Sequence, residues 1–160
     1  MSTANPNVTY LPAGKGRAFS HLGTALIFKD EPRDNGDALL LFECRMPAGN
    51  GVPPHRERNH EAFYVLDGTL EIHADGERYA LGAGDFLGIA PGTVHALHNP
   101  GPGWMRALML TSPGSQHVRF FETLGEPLDD PDDPPQPEGP PDLGELMSVA
   151  RECGMEFLPS

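Results

Sequence analysis

Residues 49–68 read GNGVPPHRERNHEAFYVLDG, and this stretch decides how the chain folds. Alternate side chains of an extended strand face the same way, so His55, Glu57 and Glu61 can point into one cavity. Arg56 and Arg58 then face solvent, and His60 points away unless the chain loops at 58–59. The stretch ends on Asp67-Gly68, a dipeptide that tolerates the positive φ angles of a tight turn, and so predicts a hairpin joining strands at 62–66 and 69–74. Asp75-Gly76 repeats the signal and leads into a strand at 77–81. Upstream, residues 38–46 (ALLLFECRM) alternate from Leu40 onward, with Leu40, Phe42, Cys44 and Met46 on one face and Leu41, Glu43 and Arg45 on the other. Further strands are predicted at 85–90, 93–98 and 104–111. Many short strands with turn residues between them point to an all-β antiparallel sandwich or barrel. The 19 glycines and 18 prolines among 160 residues favour the same answer, tight turns rather than long helices.

A second concentration of polar residues lies at 84–99, GDFLGIAPGTVHALHN. Here His95 shares parity with Thr93, Leu97 and Asn99, and His98 faces oppositely. Two imidazoles and one or two carboxylates on separate strands are donors that suit a divalent cation, held rigidly with coordination positions left open. The remaining histidines, His21, His73, His98 and His117, read as hydrogen-bonded structural residues. Around these donors the parity gives an apolar wall of Leu40, Phe42, Cys44, Met46, Phe63 and Val65. Met105 with Met109, or Leu108 with Leu110, joins it from the last strand. A dry cavity of this kind with a few polar groups at one level is the usual form of a small-molecule site. It suits a planar aromatic or polyketide-like ligand better than a sugar or phosphate. Cys44 reads as a small buried hydrophobe within it.

The two stretches resemble the paired motifs of the cupin superfamily. The first, G-x5-H-x-H-x3-E-x6-G, falls on Gly49, His55, Glu57, Glu61 and Gly68; the second, G-x5-P-x-G-x2-H-x3-N, falls on Gly84, Ala90, Gly92, His95 and Asn99. The likeness to small single-domain cupins of the quercetin dioxygenase-like group runs on through TSPGSQHVRFFETLGEP to the C-terminal helix. It implies a double-stranded β-helix, or jelly-roll, barrel with short C-terminal helices. It also implies one divalent metal ion, iron or manganese favoured and nickel or zinc compatible, at His55, Glu57, Glu61 and His95. Glu61 would serve in addition as the catalytic proton acceptor. The pocket at Phe42, Cys44, Met46, Phe63 and Val65 would then take a small hydroxy-ketone, enol or aromatic molecule for dioxygenase chemistry, in a homodimer.

Two positions depart from the motifs. Ala90 replaces a proline, with Pro91 beside it, a small change in turn geometry. Glu57 replaces the second histidine of the first motif, and three outcomes stay open. Glu57 ligates, giving a two-His, two-carboxylate site; or it swings out, leaving a two-His, one-carboxylate triad. Otherwise the metal is lost, and Glu57 with Glu61 forms an acid/base pair in which mutual repulsion raises one pKa. His60 substitutes for the missing imidazole only if its loop re-aims it, and Arg56 or Arg58 can neutralise Glu57 only by turning inward. An oxygen-independent isomerase, cyclase or decarboxylase, and a non-catalytic binding protein, are the rival functions for the same cavity.

Residues 126–142 (EPLDDPDDPPQPEGPPD) hold seven acids and seven prolines and no Lys or Arg. Proline denies a donor to helix and sheet, and dense like charge extends a chain. The expected organisation is a barrel with an N-terminal arm and a short following helix at 1–125, an acidic Pro-rich linker at 126–141 that drapes over the surface or stays loose, and a C-terminal helix at 142–160 packed on the barrel. The first helix, 117–124, puts Val118, Phe121 and Leu124 on one side. The second, from 142 to 153, starts at a capping Asp142, stops before Gly154 and carries Leu143, Leu146, Met147 and Ala150 at helical spacing. Both read as packing elements. The net charge of −12, with no Lys/Arg cluster, argues against nucleic acid and anionic membranes as partners. Cys44 and Cys153 lie outside any C-x-x-C pattern, which argues against a disulfide framework and a cysteine zinc site. MSTANPNVTY is no secretory signal, and no apolar run is long enough to span a bilayer, so a cytoplasmic protein acting on a small molecule is expected.

Overall fold

A computed structural model describes residues 5–159. Two antiparallel sheets face each other across the core. The larger has the spatial order β11 (Glu126–Pro127), β1 (Ala18–His21), β2 (Thr24–Asp30), β3 (Leu40–Met46), β10 (Met105–Ser112), β5 (His60–Asp67) and β8 (Phe86–Ile89). The smaller runs β12 (Met155–Phe157), β4 (Gly51–Glu57), β9 (His95–His98), β6 (Leu70–Ala74) and β7 (Glu77–Leu81). Three short helices complete the described residues: α1 (Pro32–Asn35), α2 (Ser115–Leu124) and α3 (Leu143–Glu152). The fold is an all-β jelly-roll barrel with short helices at its C-terminal side. No helix among the described residues is long and apolar enough to cross a membrane.

The period-two pattern of β3 sets the interior. Leu40, Phe42, Cys44 and Met46 are all buried, and β10 matches them in register with Thr111, Met109, Ala107 and Met105. Met105 and Met109 are therefore the inward pair of the last barrel strand, with Leu108 and Leu110 half-buried on the other face. Phe63 and Val65 of β5 and Leu70, Ile72 and Leu97 of the smaller sheet close the core. Each such side chain contributes about 1.5–3 kcal/mol by leaving water, and a slip of one residue would expose the whole set. Glu43 lies on the outer face of β3 and is nonetheless buried, because Arg45 Nε at 2.8 Å, Arg106 Nε at 3.0 Å and Lys29 Nζ at 3.9 Å cover it. Burying that carboxylate is tolerable because its charge is met. Its neighbour Cys44 is a free, buried thiol whose pKa burial, together with the Glu43 charge, pushes up to about 12.

Two local readings change. Asp67-Gly68 does not join a hairpin: β5 pairs with β10 and β8, whereas β6 pairs with β7 and β9. The dipeptide is a corner at which the chain changes sheet. Gly68 has φ +77°, and a Cβ there would meet the Trp104 carbonyl oxygen at 2.6 Å. A corner and a hairpin both need positive φ, so the dipeptide marks the turn without choosing the partner. Asp75-Gly76 does make a two-residue hairpin, with Ala74 opposite Glu77. In α3, the Asp142 carboxylate accepts the Glu145 N–H at 3.0 Å as a cap, but Leu143 and Met147 are exposed. The inward face is Leu146, Val149, Ala150 and Cys153, the same spacing shifted by three residues. Contacts with α2 and β12 choose between two stripes that share Leu146 and Ala150.

The acidic segment drapes over the barrel. Its first two residues form β11 against β1, and the Leu128 N–H bonds the Ala18 carbonyl at 2.9 Å. Asp132 pairs with Arg45, and Gln136 Nε2 donates to the Gly23 carbonyl at 3.3 Å. The C-terminal region adds strand β12 to its helix, and β12 extends the smaller sheet beside β4.

Candidate metal centre

Four predicted residues meet at one point. His55 and Glu57 end β4, His95 begins β9 directly opposite His55 in the ladder, and Glu61 reaches in from β5 of the other sheet. One ligand atom from each lies within 4.8 Å of all the others, and all four residues are buried. The link from β4 to β5 is fixed at Asn59, a buried side chain that donates to Thr111 Oγ1 at 3.3 Å and to the Pro113 carbonyl. The Gly92 N–H bonds the Glu57 carbonyl at 2.8 Å, which ties the second motif to the first. The turn before it keeps its bond from the Thr93 N–H to Ala90 O at 3.2 Å, so the alanine is accommodated.

Backbone carbonyls set the imidazoles. His55 Nδ1 lies 2.9 Å from Pro53 O, and His95 Nδ1 lies 3.0 Å from Thr93 O. A carbonyl only accepts, so each Nδ1 carries the proton and each Nε2 turns a lone pair toward the centre. There His95 Nε2 is 2.6 Å from Glu61 Oε2, His55 Nε2 is 3.4 Å from Glu57 Oε1, and His95 Nε2 is 3.8 Å from that same oxygen. Neither His95 Nε2 nor Glu61 Oε2 has a hydrogen-bond partner, and both are fully buried. Two bare acceptors at that separation repel each other unless a cation or a shared proton sits with them. Two imidazole nitrogens and two carboxylates converging in this way fit a divalent metal ion.

The two carboxylates are driven apart. Burial and the charge of Glu57 push Glu61 well above the ordinary carboxylate range. Burial acts on Glu57 in the same sense, but the His117 charge and contacts to His117 and His55 outweigh it and hold Glu57 low.

His117, read from the sequence as a hydrogen-bonded structural residue, is buried and hydrogen-bonded, and it stands directly beside the two carboxylates. Its Nε2 lies 2.8 Å from Glu57 Oε2 and 3.7 Å from Glu61 Oε1, while Nδ1 meets the Thr111 hydroxyl at 3.1 Å. The buried residues of α2 are His117, Phe120 and Phe121, an i, i+3, i+4 set. Counting the histidine as an inward residue at that spacing would have found it. Val118 and Leu124 are only partly buried. The other candidates stay outside: His60, Arg58 and His98 are exposed, His73 pairs with Glu71 at the surface, and Arg56 pairs with Glu156 at 2.8 Å.

Three of the four donors, His55, Glu57 and Glu61, line a cavity of about 300 Å³, and His95 lies behind them. Phe42, Cys44, Met46 and Phe63 line it together with Met109. Val65 and Leu40 are fully buried in the core and do not reach it. Pro137, Gly139 and Pro141 of the acidic segment, Leu146 of α3, and Met155 and Phe157 of β12 line the rest of it as a roof, with Phe157 beside His55.

Residues 42–111 match the family profile of the cupin domain. Over 104 residues, 64% of this chain, the sequence is 33% identical to the quercetin 2,3-dioxygenase of Bacillus subtilis, and the match spans 30% of that protein's length. Two solved structures share the fold at lower identity. A predicted oxalate decarboxylase from Thermotoga maritima superposes with a TM-score of 0.59 at 18% identity, over 66% of this chain and 98% of its own. An RmlC-like cupin from Shewanella frigidimarina gives 0.58 at 17% identity, over 69% and 96%.

Proposed function

Since the chain belongs to the cupin superfamily and is quercetin dioxygenase-like, we propose that it is a metal-dependent oxygenase acting on a small hydroxy-ketone, enol or aromatic molecule. The observation that carries this reading is the convergence of His55, Glu57, Glu61 and His95 within 4.8 Å at the floor of an apolar cavity. These four residues would hold the ion, iron or manganese by their donor types. A bound divalent ion supplies Lewis acidity toward a substrate oxygen and, as iron or manganese, electrons for chemistry with dioxygen.

The protein's own groups do the rest. Phe42, Phe63 and Met109 line the cavity and would flank a planar ligand there. Glu61, its Oε2 buried and without a hydrogen-bond partner, would take the proton of a substrate hydroxyl. The pinned Nδ1 atoms keep both imidazoles from rotating as that charge moves.

The test is elemental analysis after anaerobic loading, followed by dioxygen uptake with flavonols, catechols and 1,3-diketones. Close to one ion per chain, lost in His95→Ala, with gas consumed during turnover, is the expected result. Protein that holds no ion under any loading, or His95→Ala with unchanged metal and activity, overturns the reading. A second reading is favoured by the Glu57–His117 pair beside Glu61, which can move protons without oxygen. Isomerisation, cyclisation or decarboxylation would then proceed with no gas uptake, and a ligand returned unchanged would mark a binding protein. A homodimer belongs to the same proposal. Phe86 and Tyr64 are register partners on β8 and β5 that stay 66% and 44% exposed, and they support an apolar contact there. Sedimentation velocity reads it directly.

A further inference from the structure

Glu57 stands where the motif has a second imidazole, and an imidazole from another element stands directly behind it. We propose that His117 is a positioning residue for the metal centre: it engages one carboxylate oxygen of Glu57 and presents the other to the ion, so that the Glu57–His117 pair replaces a single histidine. This rests on the metal-binding reading above.

The two oxygens of Glu57 have different surroundings. Oε2 lies 2.8 Å from His117 Nε2. Oε1 faces His55 Nε2 at 3.4 Å and His95 Nε2 at 3.8 Å. His117 itself is outside the set of residues whose donor atoms lie mutually within 4.8 Å, so it backs the site without joining it.

The ring is held from behind. Nδ1 meets Thr111 Oγ1 at 3.1 Å; that hydroxyl also meets Pro113 O at 3.2 Å and Asn59 Nδ2 at 3.3 Å. His117, Thr111 and Asn59 are 6%, 1% and 2% exposed. A buried polar chain of this length is costly unless each member is satisfied, and a satisfied one fixes orientation. Fixing matters here because a glutamate turns about three side-chain torsions, whereas the histidine it replaces has two. Untethered, Glu57 can swing away or chelate with both oxygens. A carboxylate behind a ligating imidazole is a common support in metal sites. In this chain the roles are reversed. The Asn59 link also places β4, β5, β10 and α2 in one network, so the tether reports on two of the three ligand-bearing strands.

Manganese(II) affinity, measured by chelator competition and by the electron paramagnetic resonance line shape, tests the pairing without any substrate. Wild type, His117→Ala, His117→Gln, Glu57→His and the double variant Glu57→His/His117→Ala are compared, with thermal unfolding of each metal-free protein beside them. His117→Ala should weaken manganese about 10–100-fold and broaden the signal, the loss typical of removing an outer partner. His117→Gln, which keeps an N–H donor, should recover part of it. In the Glu57→His background, which carries its own imidazole, removing His117 should change affinity by less than about twofold, a small part of that loss. Equal losses in both backgrounds would mark His117 as structural only and overturn the inference, as would His117→Ala binding like wild type. Wild-type protein that holds no manganese would overturn the metal reading and this inference with it.

Discussion

On the floor of the cavity, His55, Glu57, Glu61 and His95 come from three strands in two sheets, and each position is set by a ladder or a backbone bond. On the roof, Pro137, Gly139 and Pro141 lie in an irregular stretch tied down by a hydrogen bond from the Gln136 side chain, an ion pair to Arg45 and, at its start, the short strand β11. The floor is thus fixed by register, which one side chain cannot alter, while the roof is fixed by a few separable contacts. Under the proposed function this difference would divide the labour: the floor would set what chemistry the site does, and the roof which molecule is admitted. Changes in one should leave the other's property intact.

The sharpest way to break that division is at the floor. His95→Ala should lower divalent-ion affinity by more than the roughly 10–100-fold expected for an outer partner, since a ligand itself is gone. Equilibrium dialysis against manganese measures it. Roof variants should not move this number; a roof variant that released the metal would sink the comparison.

Next in size is the frame beneath the floor. Asn99 is buried, donates Nδ2 to the Met46 and Gly103 carbonyls at 2.9 Å each, and accepts the Gly101 N–H at 2.9 Å. Asn99→Ala strands those groups and should cost about 2–4 kcal/mol in urea unfolding, taking about 1–3 kcal/mol for each polar group left unpaired and allowing for local relaxation. A loss below about 1 kcal/mol would mean that water replaces the side chain.

This frame was legible in the sequence because period-two parity and fixed spacing report backbone direction. Phe42, Cys44, Met46 and Phe63 follow from the same count. The partner of a turn is a different matter. Asp67-Gly68 carries the local requirement for positive φ, and whether the next strand joins the same sheet depends on contacts with Met105 and Trp104, some 37 residues later. The place of His117 beside Glu57 was hidden for a similar reason. It lies 22 residues past His95 on a helix whose docking is decided by Phe120 and Phe121 against the barrel, and no strand parity extends into a helix. The roof was the least legible part. Proline and acid composition gave an extended segment, and only the fold placed Pro137 and Pro141 over the cavity.

On the roof itself, Phe157 is the larger lever. Its ring centroid lies 5.5 Å from that of His55, and its backbone pairs with His55 in the β12–β4 ladder. Phe157→Ala should weaken binding of a planar apolar ligand about 3–10-fold, the loss of part of one buried aromatic face, while leaving manganese affinity unchanged. Half-buried as it is, its removal should cost about 1–2 kcal/mol of stability. Ligand and metal affinities that fell together would show that β12 supports the floor as well.

The smallest effect is expected where the acidic segment meets the barrel through charge. Asp132 is 85% exposed and Arg45 only 15%, so the pair sits at the solvent boundary and its attraction is screened. Arg45 is also engaged by Glu43 at 2.8 Å, so it keeps a partner when Asp132 is removed. Asp132→Ala should therefore change stability by less than about 0.5 kcal/mol, as exposed pairs usually do. Its effect on the cavity is separable from stability, because the segment runs on from Asp132 to Gln136 and Pro137. Loosening that anchor should raise ligand association and dissociation rates together in stopped flow, with little change in affinity, and the effect should fade as salt is added to wild type. An affinity change as large as that of Phe157→Ala would mean the strap contributes binding energy of its own, and the roof would then be as firmly built as the floor.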